Sequence, residues 1–148
     1  MDDESASPRL LIDAERRVHR ILRGRFAETL SELAVSFAQL EVMELLHDEQ
    51  KLHPGAIGRL LLITRQSADH LVRQLERRDL VDVWQNDGGT LGVRLTDGGR
   101  RRIRHCHSAL EPTFARLAAI DQERRRRLLN DLRACEDALR PRYTPWQL

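Results

Sequence analysis

The chain has 148 residues, of which 41% are hydrophobic, 32% are charged and only 4% are aromatic. This balance is typical of one globular domain with an aliphatic core, which favours helices packed on helices over a β-sandwich. The acidic N-terminus argues against a signal peptide, no apolar run is long enough to cross a membrane, and two cysteines are too few for a disulfide framework. We therefore expect a cytoplasmic protein without a membrane partner.

Positive charge is concentrated in the second half of the chain. Residues 1–63 carry a formal charge of −3, residues 64–105 carry +3 and residues 106–148 carry +2. An excess that begins at one segment favours a polyanionic partner for that segment.

Helical patterns fill the first third of the sequence. After a polar tail, apolar residues at spacings of three, four and seven predict a long amphipathic helix over residues 9–34. Ser36 and Gln39 have the spacing of a capping box, which predicts a second helix that begins after Ser36 and ends near Asp48.

Two shorter helices are predicted next. Pro54 suits the first turn of a third helix through Leu61, and Thr64 is a suitable N-cap for a fourth helix. The predicted core side of the fourth helix is Ala68, Leu71, Val72 and Leu75.

Helical periodicity stops after the fourth helix. Residues 80–84 and 91–95 alternate between apolar and polar, and the segment 85–90 between them is rich in Asn, Asp and Gly, so we predict a β-hairpin. Two long helices follow, the fifth capped by Thr96 and bent at Pro112, and the sixth capped by Asp121. The last residues, 141–148, predict an irregular tail in which Trp146 packs on another element.

A short helix, a turn, a second helix and a hairpin follow one another in the order of a winged helix-turn-helix. In that fold the second helix enters the DNA major groove and the hairpin lies along the backbone or minor groove. Glutamine and arginine can read bases, and hydroxyls and helix N-terminal amides can hold phosphate. The candidate DNA-binding residues are Thr64, Arg65, Gln66, Ser67, Asp69, His70, Arg73, Arg77 and Arg94.

Three segments resemble the MarR family of bacterial transcriptional regulators. Residues 37–46 (FAQLEVMELL) are similar to the segment of that family in which a glutamine and a large apolar residue precede Val-Leu-x-x-Leu. Residues 64–81 are similar to its recognition helix followed by Leu-Glu-x-x-Gly-Leu-Val, and residues 95–100 match the Leu-Thr-x-x-Gly-Arg that closes its wing.

The resemblance implies a mainly α fold with a small hairpin wing and a helical dimerisation layer. A single MarR-like domain is then expected over residues 1–148, with a winged DNA-binding lobe at about 36–100 and dimerisation helices at about 9–34 and 100–140. It further implies a homodimer that binds a pseudo-palindromic double-stranded operator. A ligand-responsive repressor or activator is implied as well, with small, often phenolic effectors bound between the dimerisation layer and the DNA-binding lobe, and with no cofactor.

The chain departs from the family pattern at three turns. Asp87 is followed by Gly88 and Gly89, where the wing of the family usually carries Asp-Arg-Arg, although Arg94 remains able to reach phosphate from the second strand. Asp79 replaces the glycine that precedes Leu-Val, and it tolerates the same left-handed turn. Leu62 stands between the third and fourth helices where glycine is frequent.

Other functions have weaker support. A winged-helix module that binds protein instead of DNA stays open because of the Gly-Gly wing tip and Asp69. Cysteine-based redox sensing is the second alternative, but Cys106 and Cys135 lie on apolar stripes, where buried thiols are generally inert.

Adjacent helical residues point about 100° apart, so the segment 105–107 (His-Cys-His) is not expected to bind metal. The segment 124–127 (four arginines) is expected to be solvated and paired with acidic neighbours, namely Glu123 and Asp131. No motif of an enzyme is present.

Overall fold

The computed structural model of the protein describes residues 7–85 and 88–139. These residues form six helices and one hairpin, in the order α1 Pro8–Ser31, α2 Phe37–Glu49, α3 Pro54–Leu60, α4 Arg65–Glu76, β1 Val81–Gln85, β2 Leu91–Leu95, α5 Asp97–Ala118 and α6 Gln122–Leu139. The predicted fold class, mainly α with a hairpin wing, is confirmed. The chain divides into two compact units between Glu111 and Pro112, inside α5.

The predicted helix starts are confirmed by hydrogen bonds. The Ser36 hydroxyl accepts from the Gln39 amide, and the Gln39 side chain accepts from the Ser36 amide, which completes the capping box of α2. Thr64 caps α4 by accepting from the Ser67 amide, and Thr96 caps α5 by accepting from the Gly99 amide. The predicted cap of α6, Asp121, is also present. These caps satisfy amides that have no partner within the helix.

The boundaries differ from the prediction by one to three residues. Helix α1 ends at Ser31 instead of residue 34, because the chain turns through Ala34, which has a positive φ of 52°. The first strand is shifted by one residue, to Val81–Gln85. Helix α5 continues through Pro112. The predicted tail at 141–148, with Trp146, lies outside the described residues, as do the first six residues and positions 86–87 of the turn.

Two of the unusual turns have left-handed backbone. Asp79 has a φ of 58°, as the resemblance implied, and Leu62 has a φ of 54° with 89% of its surface exposed. A leucine at positive φ is strained, since its Cβ meets the following carbonyl. The turn before α4 therefore keeps the conformation that glycine would adopt more easily.

The core of the first unit is aliphatic and lies between α2, α3, α4 and the hairpin. Its fully buried side chains include Leu40, Met43, Leu46, Ile57, Leu75 and Val93. The hairpin is antiparallel with Val83 opposite Val93, and Val93 also exchanges two backbone hydrogen bonds with Leu52, just before α3. This bridge fixes the base of the hairpin to the helices.

The first and last helices leave apolar side chains exposed. Only Leu30 of α1 is buried, while Leu11, Val18 and Ile21 are 54%, 55% and 63% exposed. In the second unit, α6 has no buried residue, and Leu128, Leu129 and Leu132 are each about half exposed. Within the described ranges, no helix combines the length and the apolarity that a membrane span requires.

Candidate nucleic-acid interface

Helix α4 presents a polar face that contains most of the predicted site. Its opposite side is anchored in the core by Ala68, Val72 and Leu75. The exposed residues of the predicted site on this segment are Thr64, Arg65, Gln66, Ser67, His70, Arg73 and Arg77, whereas Asp69 is half-buried. The predicted orientation of the helix is therefore confirmed; contact with DNA remains a proposal.

Three arginines of this face are available for ligand binding. The guanidinium groups of Arg65, Arg73 and Arg77 form no ion pair or hydrogen bond with any residue in the described part of the chain. A guanidinium group without a protein partner can bind phosphate or a guanine edge in a bidentate manner. The carboxylate of Asp69 likewise has no ion-pair partner within those ranges.

The N-terminus of α4 is organised by two hydroxyl groups. The Thr64 and Ser67 side-chain oxygens lie 2.8 Å apart, and Thr64 also caps the Ser67 amide. This arrangement holds both hydroxyls at the positive end of the helix, where an anion is favoured.

His70 takes part in a hydrogen-bonded chain that the sequence does not reveal. Its Nε2 lies 2.8 Å from Nε2 of Gln74, and Oε1 of Gln74 accepts from Nε2 of Gln39 at 2.9 Å. Gln39 belongs to α2 and is 9% exposed. The exposed polar face of α4 is thus connected by side chains to the start of α2.

Arg94 projects from the wing but is already engaged. Its Nε lies 3.3 Å from a carboxylate oxygen of Asp82 on the paired strand, and its guanidinium lies 5.3 Å from the centre of the Trp84 ring. The Trp84 ring covers Gly92, where a Cβ would come within 2.4 Å of the ring. Both partners of the exposed ion pair are accessible to water, so the pair is weak and can be exchanged for phosphate. Arg94 therefore stays a candidate phosphate ligand.

Two arginines outside the predicted site, Arg78 after α4 and Arg102 on α5, contact the turn that follows α1. Arg78 donates to the carbonyl oxygen of Ala34, and Arg102 donates to that of Leu33 at 2.8 Å. Both carbonyls lie in the turn between α1 and α2. The only signal in the sequence was the high arginine content, since the contacts join distant segments.

A cavity of about 540 Å³ lies beside α4. Its wall includes Gln66, His70 and Arg73 from the exposed face of α4 together with Glu41 of α2. Burial raises the pKa of Glu41, an effect that the nearby charge of Arg23 partly offsets. A molecule in this cavity would touch the side chains proposed to read DNA.

Comparison with known proteins identifies the fold. No protein-family model and no curated protein sequence matches the chain. A MarR family transcriptional regulator from Streptomyces coelicolor matches it with a TM-score of 0.77 and 26% identity, over 87% of this chain and 92% of that one. MepR from Staphylococcus aureus, in complex with DNA, matches with a TM-score of 0.76 and 19% identity, over 85% and 95% of the two chains.

This chain has the MarR-family fold. A MarR family protein from Mycobacterium tuberculosis, in complex with p-aminosalicylic acid, is a further match, with a TM-score of 0.69 and 22% identity over 88% of this chain and 99% of that one. The MarR resemblance read from residues 37–46, 64–81 and 95–100 is thereby supported by the whole described structure.

The two cysteines of this MarR-fold chain differ in exposure, since Cys106 is buried and Cys135 is partly exposed. Cys106 is fully buried between exposed His105 and His107, so the predicted divergence of the three side chains is confirmed. Burial raises the pKa of the Cys106 thiol, which favours its protonated form. His107 instead contacts Glu44 of α2, with 2.6 Å between Nε2 and the carboxylate oxygen. Within residues 7–85 and 88–139, no group of three potential ligands lies close enough to hold a metal.

The arginine run of α6 is solvated and partly paired. Arg126 and Arg127 contact Glu123 at 2.7 and 3.0 Å, and these hydrogen bonds lower the pKa of that carboxyl group. The predicted pairing with Glu123 is confirmed. Asp131 forms no ion pair with any described residue, so the second predicted pairing is wrong; no side chain of the run lies within 4 Å of its carboxylate.

Proposed function

We propose that this protein is a transcriptional regulator that binds double-stranded DNA with the exposed face of α4. The observation that carries the proposal is a set of three arginines, Arg65 and Arg73 on α4 and Arg77 at its C-cap, that form no ion pair with any described residue and precede the wing of a MarR fold. Gln66 and His70 lie on the same face and supply groups that read base edges. The hairpin contributes Arg94 as a phosphate ligand. A complex of MepR with DNA among the structural neighbours supports this assignment.

The regulator acts as a homodimer on a pseudo-palindromic operator. Helix α6 has no buried residue, and a row of half-exposed leucines is unfavourable in water unless another surface covers it. A second copy of the chain is the partner that the MarR fold suggests. A two-fold dimer places its reading helices roughly 34–36 Å apart, one turn of DNA, so both half-sites are read from the same side.

The regulator responds to a small aromatic acid. The relative bound to p-aminosalicylic acid supports this chemistry, and the 540 Å³ cavity beside α4 is large enough for such a molecule. Arg73 in its wall offers a cation to a carboxylate. A ligand held there competes with DNA for the same side chains, and differential affinity for free and DNA-bound protein releases the operator. We propose repression as the outcome, in the cytoplasm where the operator is found.

DNA titration at several salt concentrations tests the proposal. Labelled DNA from upstream of the gene for this protein is compared with a scrambled duplex of equal composition. We expect tighter binding to the upstream DNA and a steep loss of affinity as salt rises, since phosphate contacts release counterions. Equal, feeble binding to both duplexes would reject the regulator and favour a protein-interaction module.

The effector is tested in the same titration. Salicylate added at millimolar concentration is expected to weaken binding to the upstream DNA, while benzyl alcohol, which lacks the carboxylate, leaves it unchanged. An unaltered affinity with salicylate would remove the effector from the proposal and leave DNA binding intact.

A further inference from the structure

A chain of hydrogen bonds runs from the backbone at the start of α2 to the exposed face of α4. The Ser36 amide donates to Oε1 of Gln39 at 3.0 Å, and Nε2 of Gln39 donates to Oε1 of Gln74 at 2.9 Å. Nε2 of Gln74 then meets Nε2 of His70 at 2.8 Å. Each glutamine side chain in this chain forms one hydrogen bond through its oxygen and another through its nitrogen. The donor and acceptor of one bond therefore fix the donor and acceptor of the next.

The direction is set at the backbone end. A backbone N–H can only donate, so the atom of Gln39 that faces Ser36 must be the amide oxygen. Arg78 approaches the same oxygen at 3.5 Å, and a guanidinium also only donates. The Gln39 nitrogen therefore points towards Gln74, which must offer its own oxygen in return. Neither amide can be turned around without placing two donors or two acceptors together.

The last bond determines where the proton of His70 lies. In the neutral imidazole, Nε2 of His70 must accept because Gln74 offers an N–H, and the single ring proton therefore resides on Nδ1. Nδ1 has no hydrogen-bond partner among the described residues. The imidazole therefore presents a donor, not an acceptor, at its unoccupied edge.

We propose that Gln39 and Gln74 are positioning residues that hold His70 as the Nδ1–H tautomer, so that it offers DNA a hydrogen-bond donor. The step to DNA rests on the proposed function, whereas the tautomer does not. In the major groove, guanine presents acceptors at O6 and N7, thymine presents O4, and adenine presents N7 beside its N6 amino donor, while cytosine presents only the N4 amino donor. His70 is thus expected to favour guanine or thymine and to disfavour cytosine at one position in each half-site.

The substitution Gln39→Glu reverses the chain without touching α4. A carboxylate at this position still accepts from the Ser36 amide, because Glu is a normal partner in a capping box. It has no N–H, so Gln74 must turn its amide and donate to it. The Gln74 oxygen then faces His70, which must donate from Nε2, and the proton leaves Nδ1.

Two further variants separate this reversal from a general disturbance. Gln74→Glu places acceptors against both neighbours and is expected to move the His70 proton to Nε2 as well. Gln74→Met removes the last bond, so His70 should populate both tautomers. His53 serves as an internal reference, because its Nδ1 accepts from the Gly55 amide at 2.9 Å and its proton must stay on Nε2 in every variant.

Long-range ¹H–¹⁵N spectra of the free, labelled protein measure the tautomers directly, with the His70 signals assigned by their loss in His70→Gln. We expect an unprotonated Nε2 in the wild type, an unprotonated Nδ1 in Gln39→Glu and Gln74→Glu, and an unchanged His53 throughout. A wild-type His70 with its proton on Nε2, or a tautomer that stays the same in both glutamate variants, would overturn the proposal.

Competition binding then tests the step to DNA. Duplexes that differ by one base pair in the half-site are compared for the wild type and Gln39→Glu, and the ratio between duplexes is used because added negative charge weakens all of them alike. We expect about a tenfold loss of the preference for guanine or thymine over cytosine at one position. A reversed tautomer with an unchanged base preference would exclude His70 from base reading, and reversal without any DNA binding would reject the proposed function alone.

Discussion

Helices α4 and α6 both carry an apolar stripe and several arginines, but within the described ranges only α4 has buried residues. In α4, Ala68, Val72 and Leu75 are buried by α2, α3 and the hairpin, and the arginines opposite them form no ion pair with a described residue. In α6 no residue is buried, and Arg126 and Arg127 are held by Glu123. The first helix thus exposes a polar face, and the second leaves apolar side chains exposed.

Truncation of a leucine in each helix should show the largest difference. Leu75 is fully buried, so Leu75→Ala leaves a cavity and is expected to lower the free energy of unfolding by about 2–5 kcal/mol. Leu132 is 50% exposed, and Leu132→Ala is expected to cost about 1 kcal/mol or less when the protein is dilute enough to be monomeric. Urea denaturation of both variants measures the costs. Equal losses would mean that α6 is buried within its own chain.

Arginine removal should affect DNA binding in α4 only. Arg73→Ala is expected to weaken specific binding by about 1–3 kcal/mol, since it removes a guanidinium group from the exposed face of α4 that is proposed to contact DNA. Arg126→Ala is the matched control and should change binding by about 0.5 kcal/mol or less, because this arginine is exposed and bound to Glu123. Fluorescence anisotropy with the upstream DNA gives both values. Wild-type affinity in Arg73→Ala would remove this residue from the interface.

A charge on the apolar side of α6 should separate the subunits. Leu128→Glu is expected to raise the dissociation constant of the dimer at least about tenfold, because the carboxylate loses water without gaining a partner. Leu62→Glu is the control, since Leu62 is 89% exposed in the turn before α4. Sedimentation equilibrium measures the effect. A dimer unaffected by Leu128→Glu would place the contact between subunits elsewhere.

The two thiols should differ in reactivity. Burial and a raised pKa favour the protonated form of Cys106, whereas Cys135 on α6 is partly exposed. When the protein is dilute enough to be monomeric, iodoacetamide at neutral pH is therefore expected to modify Cys106 about ten times more slowly than Cys135, and the rate at Cys106 should rise with pH as thiolate forms. Peptide mass spectrometry after timed quenching measures both rates. Fast modification of Cys106 would restore redox sensing as an alternative.

Local signals accounted for most of the fold. Ser36, Thr64 and Asp121 cap their helices through bonds to residues two or three positions away, so the sequence contains both partners side by side. The polar face of α4 was predictable because helical periodicity places core and solvent positions without knowledge of the rest of the chain. The left-handed turn at Asp79 was implied by the resemblance, in which glycine occupies that position, together with the tolerance of aspartate for left-handed backbone.

Contacts between distant segments were not predictable. Gln39 and Gln74 are separated by 35 positions, and Arg78 and Ala34 by 44. Nothing in either local pattern indicates that these side chains meet, because glutamine and arginine are equally compatible with an exposed helix face. The pairing of Arg94 with Asp82 depended on the register of the hairpin, which alternation alone leaves open.

Trp84 on the wing is an intrinsic fluorophore whose emission can report on the contacts of the hairpin. The chain has two tryptophans, so Trp146→Phe leaves Trp84 as the single emitter. Its indole ring lies under the guanidinium of Arg94 and against Gly92, and both contacts depend on the geometry of the hairpin. If Arg94 exchanges Asp82 for a DNA phosphate, the cation leaves the ring and the emission changes. Wing engagement then becomes measurable in stopped-flow experiments without a dye, separately from the docking of α4.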